Sequence, residues 1–91
     1  MKTIWKFELE TINEQKITIP TGAELLSVQT QYGAPCLWAL VDTESINESR
    51  YFEILGTGHM MDNIKYNRKY IGTYQLHQGS FVGHLFEIIK K

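Results

Sequence analysis

Cys36-Leu37-Trp38-Ala39-Leu40-Val41 is a run of six apolar residues, and the fold of the surrounding chain is inferred outward from it. A strand with one face in water alternates apolar and polar side chains, whereas this run is apolar on both faces. It therefore predicts a central strand that is covered on both sides. The preceding segment, Gln31-Tyr32-Gly33-Ala34-Pro35, has the composition of a turn, with Gly33 available for a positive φ.

Segments on either side of this run alternate with a period of two residues, which is typical of half-buried strands. The alternating positions are Thr3, Trp5, Phe7 and Leu9, then Ile17 and Ile19, then Leu26 and Val28. Further strands are predicted over residues 51–55, 70–76 and 81–89. These segments together account for most of the chain, so the sequence predicts an all-β protein.

The connections between these segments are short and polar. His77-Gln78-Gly79-Ser80 predicts a tight hairpin turn, residues 11–14 join the first two strands, and residues 43–49 form a surface loop. Residues 58–65 are expected to form a loop or a single helical turn. Sequential hairpins favour a mainly antiparallel meander, a single domain over residues 1–91 that forms a sandwich or partly closed barrel of about seven strands.

The charge balance excludes one class of partner. The chain has a net charge of −1 and an isoelectric point near 6.3, whereas proteins that bind long nucleic acids carry a concentrated basic surface. We therefore expect no long nucleic acid as partner. A core built from 91 residues is thin, because a chain this small buries only about 60–65% of its unfolded surface. The chain is accordingly expected to form a homo-oligomer.

Cysteine content and hydropathy indicate a compartment. Cys36 is the single cysteine, so no intramolecular disulfide is possible and this residue is expected to act as a small buried hydrophobe. No secretory signal and no run of about 20 apolar residues is present. These features predict a cytoplasmic protein with no membrane partner.

Gly56-Thr57-Gly58-His59 is the first candidate for a ligand contact. Glycines free the backbone to expose successive N–H groups, which can form an anion-binding nest. Thr57 would add a hydroxyl, and His59 a hydrogen bond that becomes charge-assisted when the ring is protonated. The alternative is a strand-ending turn whose glycines only satisfy backbone geometry. The segment is not a P-loop, because the spacing and the Lys-Ser/Thr pair of that motif are missing.

Cationic and aromatic side chains extend this candidate site. Lys65 and Arg68 follow the glycine loop, and a guanidinium can bind phosphate or carboxylate with two hydrogen bonds. Trp38 and Tyr70 could stack against a planar ring, as aromatic platforms do. Each of these residues has an ordinary alternative, since charged runs usually face water and aromatic side chains dominate small β cores.

Catalytic and metal-binding signatures do not support further assignments. The three histidines lack the spacing of a metal site, and no second cysteine is available. No serine lies in a G-x-S-x-G elbow. A general acid–base pair of His59 or His84 with Asp62 or Glu87 is conceivable, although any chain of this size offers such pairs. We therefore predict no catalytic residue, no metal and no cofactor.

Several motifs along the chain resemble those of a family of small phage and prophage proteins known only as a domain of unknown function. The resemblance covers nearly the whole chain and carries no known catalytic residues. The motifs are Ile4-Trp5-Lys6-Phe7, Gly22-Ala23-Glu24-Leu25-Leu26-Ser27-Val28-Gln29, Pro35-Cys36-Leu37-Trp38-Ala39-Leu40-Val41-Asp42, Gly56-Thr57-Gly58-His59, Tyr70-Ile71-Gly72-Thr73-Tyr74-Gln75 and His84-Leu85-Phe86-Glu87.

What the resemblance implies is a setting. Small accessory phage proteins often counter bacterial defence, either by sequestering nucleotide immune signals or by contacting a defence enzyme. Joined to the glycine loop and the neighbouring cations, it predicts a counter-defence protein of the host cytoplasm that binds a small nucleotide-derived signal without turnover. A protein–protein inhibitor of a host defence protein, an enzyme that cleaves the signal and a phage protein without a ligand remain the alternatives.

Overall fold

A computed structural model describes residues 1–61 and 67–90 of the chain, and seven β-strands account for most of these residues. The strands are β1 (Lys2–Glu8), β2 (Glu14–Pro20), β3 (Glu24–Gln31), β4 (Ala34–Asp42), β5 (Asn47–Gly56), β6 (Asn67–Leu76) and β7 (Phe81–Lys90). The predicted all-β class is confirmed. Each predicted strand is present, because the period-two pattern matches the pleat of a half-buried strand.

The strands form two antiparallel sheets that pack as a sandwich. The three-stranded sheet has the order β1-β4-β3, and the four-stranded sheet has the order β2-β5-β7-β6. The apolar run is β4, at the centre of the smaller sheet, as predicted. The connectivity differs from the predicted meander, since consecutive strands pair only in β3–β4 and β6–β7. Of the two predicted architectures, the sandwich is confirmed and the sheets do not close into a barrel. Connections of two to five residues can cross from one sheet to the other as easily as they can form a hairpin. Loop length therefore does not distinguish a crossing from a hairpin.

The core lies between the facing sheets and is built from alternate residues of their central strands. Leu37 of β4 is buried with Phe52 of β5 and Leu85 of β7. Ala39 and Val41 of β4 are buried in a second cluster with Ile19 of β2. Cys36 is also buried, as expected for a small hydrophobe, although it lies on the opposite face of β4. The pattern follows from the pleat, which places residues i and i+2 on one face of a strand.

β3, an edge strand of the smaller sheet, lies close to edge strands of the larger sheet at both of its ends. β3 begins beside the end of β2, where Ala23 N–H donates to the Pro20 carbonyl. β3 ends beside β6, where the Thr30 hydroxyl donates to the Gln75 carbonyl at 2.7 Å. A Cβ added to Gly72 of β6 would lie 2.7 Å from a methyl carbon of Val28. A glycine at this position therefore lets the edges of the two sheets meet.

Two features of the core depart from simple strand patterning. A bulge between Leu25 and Ser27 in β3 shifts the register, so Leu26 is exposed while Val28 is buried. The alternation expected for Leu26 and Val28 on one face is therefore wrong, because a bulge adds one residue and reverses the phase of the side chains.

The second feature is Tyr74 of β6, which lies across Gly83 of β7. An added Cβ at Gly83 would be 2.7 Å from the tyrosine ring, so the glycine makes room for the ring. The Tyr74 phenol and the Thr11 hydroxyl are 3.0 Å apart. Burial raises the pKa of Tyr74 above its ordinary value, and the hydrogen bond with Thr11 partly offsets this shift.

The connections lie where the sequence places them, with one shorter loop. β5 begins at Asn47, so the surface loop predicted for residues 43–49 covers only residues 43–46. The predicted hairpin turn at residues 77–80 joins β6 to β7, with His77 and Gln78 at positive φ. The loop or helical turn predicted for residues 58–65 lies partly outside the described residues. Within the described part of the chain, no helix has the length and apolar character needed to cross a membrane.

Candidate functional site

The outer face of the four-stranded sheet carries a row of hydrogen-bonding side chains. Strand register places Leu55, His84 and Thr73 opposite one another on neighbouring strands, and their side chains point away from the smaller sheet because Leu85 of β7 points into the core. Thr57 continues this row just after β5. The sandwich therefore offers a polar cluster on a face that no second sheet covers.

His84 forms the centre of this cluster. Its Nε2 lies 2.7 Å from the Thr57 hydroxyl, and its Nδ1 lies 3.0 Å from the Thr73 hydroxyl. The Thr73 hydroxyl lies 2.5 Å from the Tyr70 phenol. These four side chains form one continuous hydrogen-bonded chain, which we name the His84 cluster (Thr57, Tyr70, Thr73 and His84).

The His84 cluster is an adaptable hydrogen-bonding site when its imidazole is neutral. A neutral imidazole donates from one nitrogen and accepts at the other, and each hydroxyl can both donate and accept. The direction of the hydrogen bonds along the chain can therefore reverse as a unit, through a change of tautomer at His84. Such a site can present a donor or an acceptor to a polar ligand without placing a full charge beside it.

Tyr70 supplies an aromatic surface at one end of the cluster. Its ring packs edge-on against Phe86, with centroids 5.6 Å apart and planes at 61°. The residue is nevertheless 56% exposed, so part of the ring faces solvent beside the hydroxyl of Thr73. An exposed ring next to hydrogen-bonding groups is the arrangement that binds planar polar molecules.

A buried ion pair underlies this face. Arg68 donates to both carboxylate oxygens of Glu53, from Nε to Oε1 and from Nη2 to Oε2 at 3.2 Å. Glu53 is only 7% exposed, although its strand places it on the outer face, opposite Phe86. The Glu53 carboxylate competes with a phosphate for Arg68, because the guanidinium already donates to both carboxylate oxygens.

The glycine loop forms a tight turn directly after β5. The Thr57 amide donates to the Val82 carbonyl at 3.2 Å, and the His59 amide donates to the Gly56 carbonyl at 3.0 Å. Gly58 has φ of +88°, the left-handed conformation for which glycine is suited. Two of the amides proposed for an anion nest are therefore engaged within the protein. The loop contributes to the candidate site through the Thr57 side chain.

The other predicted site residues are distributed over the molecule. His59 lines a separate cleft of about 180 Å³ with Thr11, Asn13 and Phe81. Trp38 lies on the outer face of the smaller sheet, beside Ser27, and is half-buried. Lys65 lies outside the described residues. The structure therefore brings Thr57 and Tyr70 together, keeps Arg68 on the same face, and places His59 and Trp38 elsewhere.

Thr73 and His84 are functional candidates that the choice of site residues from the sequence omitted. A signal for them was present in the predicted turn at residues 77–80. A hairpin closed by four residues pairs Leu76 with Phe81, and the same register places Thr73 opposite His84. Extending the predicted turn by three pairs of residues would have joined the two side chains.

Acid–base pairing of His84 with Glu87 does not occur in this structure. Glu87 points toward the core, where it accepts hydrogen bonds from Arg50 Nε at 2.7 Å and Nη2 at 3.0 Å. Both ring nitrogens of His84 contact threonine hydroxyls, so no carboxylate orients the imidazole as in a catalytic triad. Asp62, the other predicted partner, lies outside the described residues. Across the described ranges, no group of three or more histidine, cysteine, aspartate or glutamate residues is placed to hold a metal ion.

A model of the family described as "Domain of unknown function (DUF7352)" matches residues 1–91. No curated protein and no solved structure matches the chain. The family description names no activity, so the function is argued from the geometry of the site.

Proposed function

The chain belongs to the DUF7352 family, and we propose that it binds and sequesters a small nucleotide-derived ligand without turning it over. The observation that carries this proposal is the His84 cluster, in which both ring nitrogens of one histidine are held by threonine hydroxyls. A histidine held in this way orients the neighbouring hydroxyls for hydrogen bonds to a ligand. It lacks the orienting carboxylate that would favour a role as general base.

The proposed binding mode follows from the two kinds of surface that meet at Tyr70. The exposed part of its ring stacks against the base of the ligand. Stacking supplies affinity without selecting between bases, because every base has a π-face. The hydroxyls of Thr57 and Thr73, which the imidazole of His84 orients, bond the polar edge of the same base through the hydrogen-bonding sites that the cluster does not use. Because the cluster can reverse its hydrogen bonds, it matches either a carbonyl or an amino group.

Phosphate groups of the ligand require a separate set of contacts. Arg68 is bound to Glu53 and His59 lines a separate cleft, so we assign the phosphate contacts to Lys65, a residue predicted for this role from the sequence that lies outside the described residues. The base and the phosphates would then be recognised by different segments. Recognition of the base depends on the described residues and is the part tested first.

The resemblance to phage and prophage proteins supplies the biological setting of the proposal. In that setting the protein acts in the cytoplasm of an infected bacterium and withholds a nucleotide immune signal from its receptor. Sequestration needs affinity and abundance but no chemistry, which fits a small domain without a catalytic constellation among its described residues.

Isothermal titration calorimetry tests the proposal with a panel of cyclic mononucleotides, cyclic dinucleotides and ADP-ribose derivatives. Thr73→Val removes the central hydroxyl of the cluster and retains a β-branched side chain suited to the strand. We expect it to weaken binding by about tenfold or more, since a hydrogen bond to a buried ligand edge contributes about 1.4 kcal/mol or more. Thr18→Val, at an exposed position of β2 on the same face, is the matched control and should bind normally.

The outcomes separate the functional classes. Binding of one ligand by wild type and Thr18→Val, with recovery of the unchanged ligand by chromatography, supports sequestration. Product that accumulates beyond one equivalent per subunit identifies an enzyme instead. Absence of heat with every nucleotide, for protein with a native circular dichroism spectrum, contradicts the proposal.

Protein–protein inhibition is the second candidate, and the tip of the β3–β4 hairpin favours it. Tyr32 is 97% exposed and adopts φ of +53°, a conformation that is uncommon for a bulky residue. Strained and exposed aromatic residues are enriched at functional contacts. Tyr32→Asn suits the left-handed conformation and removes the ring. A host protein that wild type and Thr73→Val retain, and Tyr32→Asn loses, would support inhibition; equal retention by all three would contradict it.

A further inference from the structure

The free edge of β1 differs from the other sheet edges in how it is protected. β3 and β6 cover one another through the Thr30–Gln75 hydrogen bond. β2 carries the exposed charged residues Glu14 and Lys16, and its large apolar side chains are buried or half-buried. Charged residues of this kind are a usual protection against strand addition. β1 also carries exposed charged residues, Lys2, Lys6 and Glu8, but unlike β2 it exposes large apolar side chains between them.

β1 exposes apolar side chains on both of its faces. Ile4 is 57% exposed on the outer face, and Trp5 is 41% exposed on the face toward the larger sheet. β1 pairs along its whole length with β4 and with no strand of the larger sheet. On this face the Trp5 ring packs edge-on against Phe7, and part of its surface remains in solvent because no strand of the larger sheet pairs with β1.

Backbone hydrogen-bonding groups of β1 are presented at this edge. The Met1 carbonyl accepts the Thr43 amide at 2.9 Å, and the Leu9 amide donates to the Pro35 carbonyl at 2.8 Å. Backbone direction alternates along a strand, so the odd-numbered residues bond toward β4 and the even-numbered residues bond away from it. Lys2, Ile4, Lys6 and Glu8 therefore direct their N–H and C=O groups away from β4, and no backbone partner for these groups lies among the described residues.

Lysine side chains often shield such an edge, but Lys6 is directed elsewhere. Its ammonium donates to the Gln31 Oε1 at 2.6 Å, across the outer face of the sheet toward β3. The charged end of Lys6 is thereby drawn away from the edge, and its aliphatic stem remains beside Ile4. The centre of the edge is left apolar, with charges at the two ends.

We propose that β1 pairs with β1 of a second copy of this chain, with the two-fold axis at Trp5. Two-fold pairing of edge strands within one sheet is antiparallel. With the axis at Trp5, Lys2 lies opposite Glu8 of the second copy, Ile4 lies opposite its Lys6, and the two tryptophans face one another. Four pairs exchange about eight backbone hydrogen bonds in this register.

Charge selects this register over its neighbours. An axis at Ile4 would place Lys2 opposite Lys6 of the second copy, and an axis at Lys6 would place two Lys6 residues opposite one another. The axis at Trp5 instead gives two opposite-charge pairs and one aromatic pair, each favourable across antiparallel strands. The result is a continuous six-stranded sheet. In it the two Trp5 side chains contact one another on the face toward the larger sheets, which removes part of their exposed surface from water. This inference is independent of the His84 cluster, which lies on the other sheet.

Sedimentation equilibrium of the full chain, with any tag at the C-terminus, tests the pairing by charge reversal. Glu8→Lys places like charges opposite one another at both ends and should weaken dimerisation about tenfold or more. Combining it with Lys2→Glu restores the opposite-charge pairs, and the dissociation constant should return to within about threefold of wild type. Lys2 also faces Asp42 in its own sheet, so Glu8→Lys is the cleaner single variant. Lys16→Glu, on the β2 edge, is the matched control and should dimerise normally.

A covalent test locates the axis independently of stability. Trp5→Cys places two thiols at a directly opposed, non-hydrogen-bonded pair, where Cβ atoms are within about 5.5 Å of each other, and should form an intermolecular disulfide on mild oxidation. Ile12→Cys, an exposed position outside the edge, should not. A wild-type chain that stays monomeric, failure of the double charge reversal to restore association, or a host protein as the only occupant of β1 would each overturn the proposal.

Discussion

Both faces of the four-stranded sheet carry a buried arginine–glutamate pair. The two pairs differ in the parts of the molecule that surround them. On the core face, Arg50 bonds Glu87 and also donates from Nη1 to the Ala23 carbonyl at 2.7 Å, which ties the larger sheet to the start of β3. On the outer face, Arg68 bonds Glu53 beneath a surface with no second sheet above it. Arginine–glutamate pairing therefore joins the two layers on the core face, whereas on the outer face it lies in the same surface as the His84 cluster.

The difference shows why burial alone does not assign a role. Hydrogen bonding to Glu87 raises the pKa of Arg50 above its ordinary value. The third hydrogen bond of the Arg50 guanidinium, to the Ala23 carbonyl, fixes the packing of the sheets. The outer pair is as closely hydrogen-bonded but lies on the same face as the His84 cluster. Loss of the core-face pair should therefore cost more unfolding free energy than loss of the outer-face pair.

Loss of the core-face carboxylate should have the largest effect. Glu87→Ala leaves the Arg50 guanidinium without its carboxylate near the sheet interface, and breaking a buried pair in this way costs about 3–5 kcal/mol of unfolding free energy. Urea denaturation monitored by circular dichroism measures this value. Glu10→Ala, at an exposed loop position, is the control and should change stability by less than about 0.5 kcal/mol.

Loss of the outer-face carboxylate should cost less. Glu53→Ala also leaves an arginine without its carboxylate, but Arg68 lies on the outer face, whereas Arg50 also joins the two sheets through its hydrogen bond to the Ala23 carbonyl. We expect a loss of about 1–3 kcal/mol in the same urea experiment. If Glu53→Ala and Glu87→Ala cost the same, the distinction between the two faces is wrong.

Crowding of the core face gives a third test. Gly83→Ala places a Cβ 2.7 Å from the Tyr74 ring, and overpacking of this kind costs about 1–3 kcal/mol. Gly56 lies directly opposite Gly83, and its added Cβ would approach Phe81 only to 3.4 Å. Gly56→Ala should therefore be the milder of the two in thermal unfolding, and the reverse order would contradict the close packing of Tyr74 on Gly83.

Removal of the Thr73 hydroxyl should have the smallest effect on stability. Thr73 is exposed and its hydrogen bonds lie within the solvent-facing cluster, so Thr73→Val should change the unfolding free energy by no more than about 0.5 kcal/mol. Its nucleotide affinity should fall by the larger factor expected above. A large loss of stability in Thr73→Val would mean that the His84 cluster is a structural element, and it would remove the basis of the binding proposal.

Local patterning of the sequence was sufficient to predict the strands but not their order. The alternation at Trp5 and Phe7 and the apolar run at β4 specify strand conformation through the pleat, which acts within a few residues. Strand order depends on which apolar faces meet across the whole chain, and short connections permit both hairpins and crossings. The bulge after Leu25 is likewise invisible to periodicity, because inserting one residue only reverses the phase.

The candidate site shows the same division. Thr57 and Tyr70 were identifiable from residue type, since hydroxyl and aromatic side chains near a glycine turn are plausible ligand contacts. Their connection through His84 and Thr73 depends on the register of the β6–β7 hairpin, and the engagement of Arg68 by Glu53 depends on β5 and β6 lying on either side of β7. Residues 15 positions apart become hydrogen-bond partners only through that strand order.

By itself, the sequence determined the all-β class, the position of the central strand, the two hairpin turns and the polar character of the Gly56–His59 turn. These properties follow from side-chain alternation and backbone preference, which act locally. Tertiary structure alone decided which charged residues are neutralised by partners, which hydroxyls meet His84, and which sheet edge remains open at β1. These outcomes depend on contacts between distant segments, and packing the whole chain fixes all of them together.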